Sequence, residues 1–113
     1  MNDSLIYKIM SAAEWHAAER SGLFEGSAVD RRDGFIHFST ATQIRETAAR
    51  HFASHDNLRL IAVDTATLEI RWEPSRGGAL FPHLYGSLPT SAVREVHALP
   101  LEADAHRFPS GIT

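Results

Sequence analysis

The residues best able to do chemistry gather in two stretches of this chain. The first, DRRDGFIHFSTATQ (residues 30–43), sets His37 between two aromatic residues and follows it with Ser39 and Thr40. In a strand FIHF, alternation puts Phe35 and His37 on one face and Ile36 and Phe38 on the other. A strand ending in Ser-Thr at a helix start gathers hydroxyls and free backbone N–H groups, where the helix dipole favours an anion. Capping alone accounts for Ser39 and Thr40, but not for an imidazole beside them. The competing reading of His37 is a half-buried ring bonded to a backbone carbonyl.

The second stretch is WEPSRGGALFPHLYG (residues 72–86). Arg76 precedes Gly77 and Gly78, where the backbone can approach a ligand closely and the guanidinium can fork onto carboxylate or phosphate. His83 and Tyr85 lie two apart. In an extended segment they share a face and join a titratable group to a stacking surface, with Trp72 as a further aromatic plane. The competing reading is a Gly-Gly turn followed by aromatic residues that anchor a loop on the core.

Other chemistries fare less well. His51 and His55 have the i, i+4 spacing of helical metal ligands. However, HFASH lacks the glutamate of HExxH, and histidines near a helix end suit the dipole. They read as surface residues, and no metal is expected. No GxGxxG follows a strand, and neither a Walker A pattern nor a GxSxG elbow occurs. Glu69 and Glu73 could form an acid–base pair, but a solvated strand face explains them equally well.

The elements that must carry these residues follow from periodicity. LIYKI (5–9) is a short β-like run. SAAEWHAAERSGL is a helix with a Ser11–Glu14 capping box and Gly22 as its C-terminal stop. Residues 24–34 are rich in turn formers and read as a loop. After FIHF a helix is expected to begin at Ser39 or Thr40, with Thr40 and Gln43 at capping-box spacing. Ile44, Ala48 and Phe52 would lie on its buried face, and its end falls near residues 54–57. LRLIAV (58–63) is nearly all apolar, as a strand covered on both sides would be. LEIRWE (68–73) alternates, with Leu68, Ile70 and Trp72 on one face. Residues 74–89 read as a long functional loop, AVREVHAL (92–99) as a last strand, and the tail from Pro100 as frayed.

Composition bounds the class. A chain of 113 residues, 43% hydrophobic and 22% charged, is expected to form one domain over 1–113. A net charge of −3 supplies no positive field, so general nucleic-acid binding is not expected. Absence of cysteine removes disulfides and thiolate chemistry. No segment reads as a signal peptide or membrane span, so a cytoplasmic location is expected.

Several of these strings carry a resemblance. IYKI, Trp15, GLFEGSAVDRRDGFIHFSTATQ, the Val63-Asp64 pair and RWEPSRGGALFPHLYG together closely resemble the bacterial family called domain of unknown function 952, from about Ile6 to Leu99. More remotely, the order IYK, helix, GL, loop, IHFS is similar to the opening of ADP-ribosyltransferase-fold enzymes, particularly the RNA 2′-phosphotransferases, which run LYHGT, helix, GL, VHLS. This second likeness implies an α+β domain with a curved, split, mixed or antiparallel sheet and two main flanking helices. It implies NAD, ADP-ribose or another phosphorylated nucleotide as ligand, and ADP-ribosyl or phosphoryl transfer, or a degenerate relative of such an enzyme. On it, Tyr7 and Lys8 fall on the Tyr-His pair, and His37 and Ser39 on the histidine and serine of VHLS.

Lys8 departs from the histidine of that pattern, though it can still hold phosphate as a point charge. Neither Glu73 nor Glu95 aligns with the activating glutamate, and Arg76 is the arginine nominated instead. These departures favour binding over catalysis. The expected site is therefore His37 and Arg76 as reacting groups, with Lys8, Ser39, Thr40, Trp72, Gly77, His83 and Tyr85 around the ligand. The alternative is a non-catalytic module that binds a metabolite or a protein partner through SRGGALFPHLYG.

Overall fold

The computed structural model of the chain describes residues 5–112, and within them the side chain of Arg76 is not among the described groups. Strand β1 (Leu5–Ser11) leads into α1 (Ala12–Ser21). The expected capping box closes that junction: Ser11 accepts from the Glu14 amide, and Glu14 accepts from the Ser11 amide, each at 3.0 Å. Gly22 ends the helix at φ 87°, a conformation costly to any residue with a Cβ. Next come β2 (Leu23–Phe24), α2 (Ala28–Asp33), β3 (Ile36–His37), α3 (Ile44–His51), β4 (Leu58–Asp64), β5 (Ile70–Pro74), β6 (Leu80–Leu84), β7 (Leu88–Pro89), β8 (Val93–Leu99), β9 (Leu101–Glu102) and β10 (Ala105–His106).

Two three-stranded antiparallel sheets, ordered β1-β4-β8 and β3-β6-β5, form the body of this α+β domain. A single bridge between Tyr7 and Ser39 joins β1 to the end of the β3 segment. Across it each residue's amide donates to the other's carbonyl at 2.8 Å. Strand β4 is central to the first sheet and buried on both faces, as its apolar run requires. On one side Ile6, Met10, Ile61 and Val63 pack with Trp15 and Ala18 of α1 and with Ile36, Phe38 and Leu84. On the other side Tyr7, Ile9, Leu60 and Ala62 pack against Ile44 and Ala48 of α3 and against Ile112.

Four expectations need correction. Residues 24–34 are not all loop: Ser27 and Asp30 form a capping box and start α2, which Gly34 ends at φ 89°. Aspartate at the third helical position does there what glutamate does at α1. The helix expected from Ser39 or Thr40 starts at Ile44. Thr40 and Gln43 do exchange side-chain bonds to each other's amides, at 3.2 and 3.0 Å, but they close a turn ahead of the helix. The long loop over 74–89 is largely a hairpin, with LFPHL as the middle strand of the second sheet. Pro82 masks it in the sequence, since a proline argues against a central strand; its carbonyl still accepts from the Phe38 amide at 3.0 Å. Finally, the tail forms the β9–β10 hairpin and returns to bury Ile112 at 6% exposure. Among the described residues, no helix is long and apolar enough to cross a membrane.

Candidate functional site

Two of the expected site residues, Lys8 and His37, meet through the buried Asp30. Lys8 is on β1, where alternation turns it away from Tyr7 and toward α2. Its ammonium lies 3.1 Å from Asp30 Oδ2 and donates to the His37 carbonyl at 2.9 Å. Asp30 Oδ1 accepts from the His37 amide at 3.1 Å and lies 2.7 Å from His37 Nδ1. The other ring nitrogen of His37 is 3.0 Å from Asp33 Oδ2. A carboxylate only accepts, so a ring nitrogen that carries a proton donates in its contact. Burial pushes the Asp30 carboxyl up, but the His37 hydrogen bond, the Lys8 charge and the amides of Ser27 and His37 outweigh it and hold it well below the usual range. Ser39, equally buried, pairs its hydroxyl with that of Thr47 at 2.8 Å.

His83 is beside this cluster because β6 pairs with β3 in the register His37–His83, and with β5 in the register His83–Arg71. The two imidazoles are 5.5 Å apart, edge to face, and Phe35 stacks on His83 at 4.1 Å. Glu73 Oε1 lies 2.7 Å from His83 Nδ1 and accepts from the Tyr85 hydroxyl at 2.8 Å. These bonds, the one to His83 first, hold the Glu73 carboxyl below its usual range. The same bond to Glu73 raises the Tyr85 phenol. Arg71 lies over the Tyr85 ring at 4.7 Å.

Thr40 and Trp72 belong to a different place. They help wall an open groove of about 940 Å³, with Tyr7, Thr42, Ile70, Glu95 and the tail residues Ser110–Ile112. The groove arises from register. Tyr7 pairs with Ala62 and Ala62 with Glu95, so the three side chains share one face of the first sheet. A bulge in β8 adjoins that row: Val63 pairs with Val93 and Ala62 with Glu95, leaving Arg94 as the extra residue. On the opposite wall, Ile70 and Trp72 occupy one face of β5, and the Gln43 side-chain Nε2 donates to the Leu80 carbonyl at 2.8 Å, tying the 40s turn to the β5–β6 hairpin. Burial, then the Glu95 charge, raises the Tyr7 phenol. Trp72 is 45% exposed, a large aromatic surface left open to a ligand.

The structure thus joins Lys8 to His37, with His83 and Tyr85 adjacent, and separates Thr40 and Trp72 into the groove. Gly77 and Gly78 take positive φ at the hairpin tip, so turn geometry accounts for the pair, while the Arg76 side chain lies outside the described residues. His51 ends α3 and His55 stands in the turn after it, its carbonyl 2.7 Å from His106 Nε2. Among the described residues, no group of three or more His, Asp or Glu is arranged to hold a metal. Sequence reasoning missed Asp30, Asp33 and the tail. The Ser27–Asp30 capping spacing was the signal that could have placed Asp30.

A family model described as "Protein of unknown function (DUF952)" matches residues 9–96. The crystal structure of Protein CC0527 from Caulobacter crescentus is similar at 52% identity and a TM-score of 0.87, over 91% of this chain and 93% of that one. The solution NMR structure of CC0527 is similar at 53% identity and a TM-score of 0.81, over 91% and 90% of the two chains. No curated protein matches the chain.

Proposed function

Since the chain belongs to the DUF952 family, whose description carries no activity, we propose from the groove itself that it binds a nucleotide of the NAD or ADP-ribose type. The observation that carries this reading is the meeting of Trp72, Tyr7, Thr40 and Glu95 on the walls of one groove of about 940 Å³. That volume falls within the usual range of small-molecule sites. An exposed indole suits a stacked base, worth about 1–3 kcal/mol per base. A carboxylate suits the hydroxyls of a ribose, and the Thr40 and Thr42 hydroxyls complete a polar wall.

The ADP-ribosyltransferase likeness adds a chemical reading. Glu95, on the sheet face it shares with Tyr7, would take the part of the activating glutamate. It would stabilise the positive charge that grows on ribose as the bond to its base breaks. Calorimetric titration with NAD and ADP-ribose tests the binding. Trp72→Ala is expected to weaken it about five- to 150-fold, the range that stacking supplies, and Glu95→Gln to weaken it further at the ribose. No affinity of the wild-type protein for either nucleotide overturns the reading. Release of nicotinamide from NAD, lost in Glu95→Gln, would extend it to catalysis.

One observation favours a second reading, a protein partner. Trp72 and Leu80 are 45% and 52% exposed, and the pairing of Trp72 with Pro82 and Pro74 with Leu80 puts them on one face of the hairpin. Association that Leu80→Ser abolishes, with no nucleotide affinity, would favour this alternative.

A further inference from the structure

Helix α2 is fastened to the rest of the molecule through carboxylates: the buried Asp30 and, at the helix end, Asp33, whose Oδ2 lies 3.0 Å from His37 Nε2. Of its six residues only Asp30 is buried; Val29 is 50% exposed, and Arg31 and Arg32 are exposed. No apolar side chain of this helix enters the core, so area burial contributes little to its docking. What docks it is a carboxylate in a cradle of donors. The Lys8 ammonium stands 3.1 Å from one oxygen. His37 Nδ1 and the His37 amide stand 2.7 and 3.1 Å from the other. These three donors belong to β1 and β3; a fourth, the Ser27 amide at 2.9 Å, is the helix's own N-cap. Glycines bound the segment, Gly26 at φ 107° and Gly34 at φ 89°, positions where the backbone has freedom that other residues lack.

We infer that Lys8 and His37 form an anion site for a phosphate group, that Asp30 is its internal occupant, and that a phosphate-bearing ligand displaces Asp30 and undocks α2. An ammonium, an imidazole and a backbone amide converging on one point are the donors that bind phosphate in charge-assisted bonds. A phosphate carries more charge and more acceptor oxygens than the carboxylate it would replace. Arg31, exposed next to Asp30 in the chain, favours the arrival of an anion, while Arg32 is paired with Asp33 at 3.0 Å. Lys8 and Tyr7 are neighbours on one strand and point to opposite faces of the sheet. This site is therefore separate from the groove and does not depend on the groove's ligand.

The test compares the wild-type chain with Asp30→Asn, titrating inorganic phosphate at constant ionic strength. Asp30→Asn removes the competing charge while nearly keeping the shape. It is expected to bind phosphate at least about tenfold more tightly than wild type, the factor that about 1.4 kcal/mol of relieved competition gives. Its melting temperature should rise with phosphate and not with chloride. Equal affinity in the two proteins, or no saturable response in either, overturns the inference. If Asp30→Asn does not fold, amide hydrogen exchange on the wild type decides. Loss of protection over residues 28–33 on adding phosphate, with α1 unchanged, supports the latch; unchanged protection over 28–33 overturns it.

Discussion

At the scale of single residues, Asp30 organises the most demanding part of the interior. A lysine and an aspartate with side chains only 8% and 3% exposed are tolerable because every polar atom is engaged: among the described residues no buried side-chain nitrogen or oxygen lacks a partner. Removing one member strands the other. Asp30→Asn is expected to cost about 3–5 kcal/mol in a urea unfolding experiment, the range for a broken buried pair. The same carboxylate sets a pH dependence. Its folded value lies below its unfolded value, so its contribution is complete above about pH 4, near the unfolded carboxylate value. It is lost as pH falls from there toward the folded value. Urea midpoints between pH 7 and pH 2 should fall more steeply for wild type than for Asp30→Asn below about pH 4; parallel curves would refute this.

At the scale of elements, strand β4 and the bulge in β8 do different work. Ile61 is fully buried in the first core, and Ile61→Ala should cost about 2–5 kcal/mol, as other large-to-small core changes do. The bulge adds one residue beside Glu95 and bends the strand there. Deleting Arg94 removes the extra residue: Val93 stays opposite Val63 and Glu95 opposite Ala62, so Glu95 keeps the face it shares with Tyr7. The expected outcome is a folded protein that keeps nucleotide binding, read by circular dichroism and calorimetry together. A folded variant that loses binding would show that the bend made by the bulge, and not the row alone, positions Glu95.

At the scale of the whole molecule, the groove exists because distant parts of the chain close on it. The first sheet supplies Tyr7 and Glu95, the β5–β6 hairpin supplies Trp72, and the tail supplies Ser110–Ile112. Truncation after Pro109 is expected to lower stability by about 1.5–3 kcal/mol through the lost burial of Ile112. It should also open one wall and shorten the lifetime of a bound nucleotide. Surface plasmon resonance would show this as a faster off-rate, and an unchanged off-rate would show that the tail is no part of the site.

Read alone, the sequence specifies the elements whose physics is local. The Ser11–Glu14 box, the Gly22 stop, the apolar run of β4 and the alternation of β5 are written in adjacent residues and fold as read. It also singled out His37, His83, Tyr85 and Trp72 by type. Only the tertiary structure decided which of them meet. Register across β3, β6 and β5 brought His37 beside His83, and the opposite faces of β1 divided Lys8 from Tyr7. Asp30 was invisible as a partner because it lies 22 positions from Lys8, and Glu95 because it reaches the row of Tyr7 only through β4. Such pairings depend on strand order and on a one-residue shift, which invert a side chain's face while leaving the local pattern unchanged.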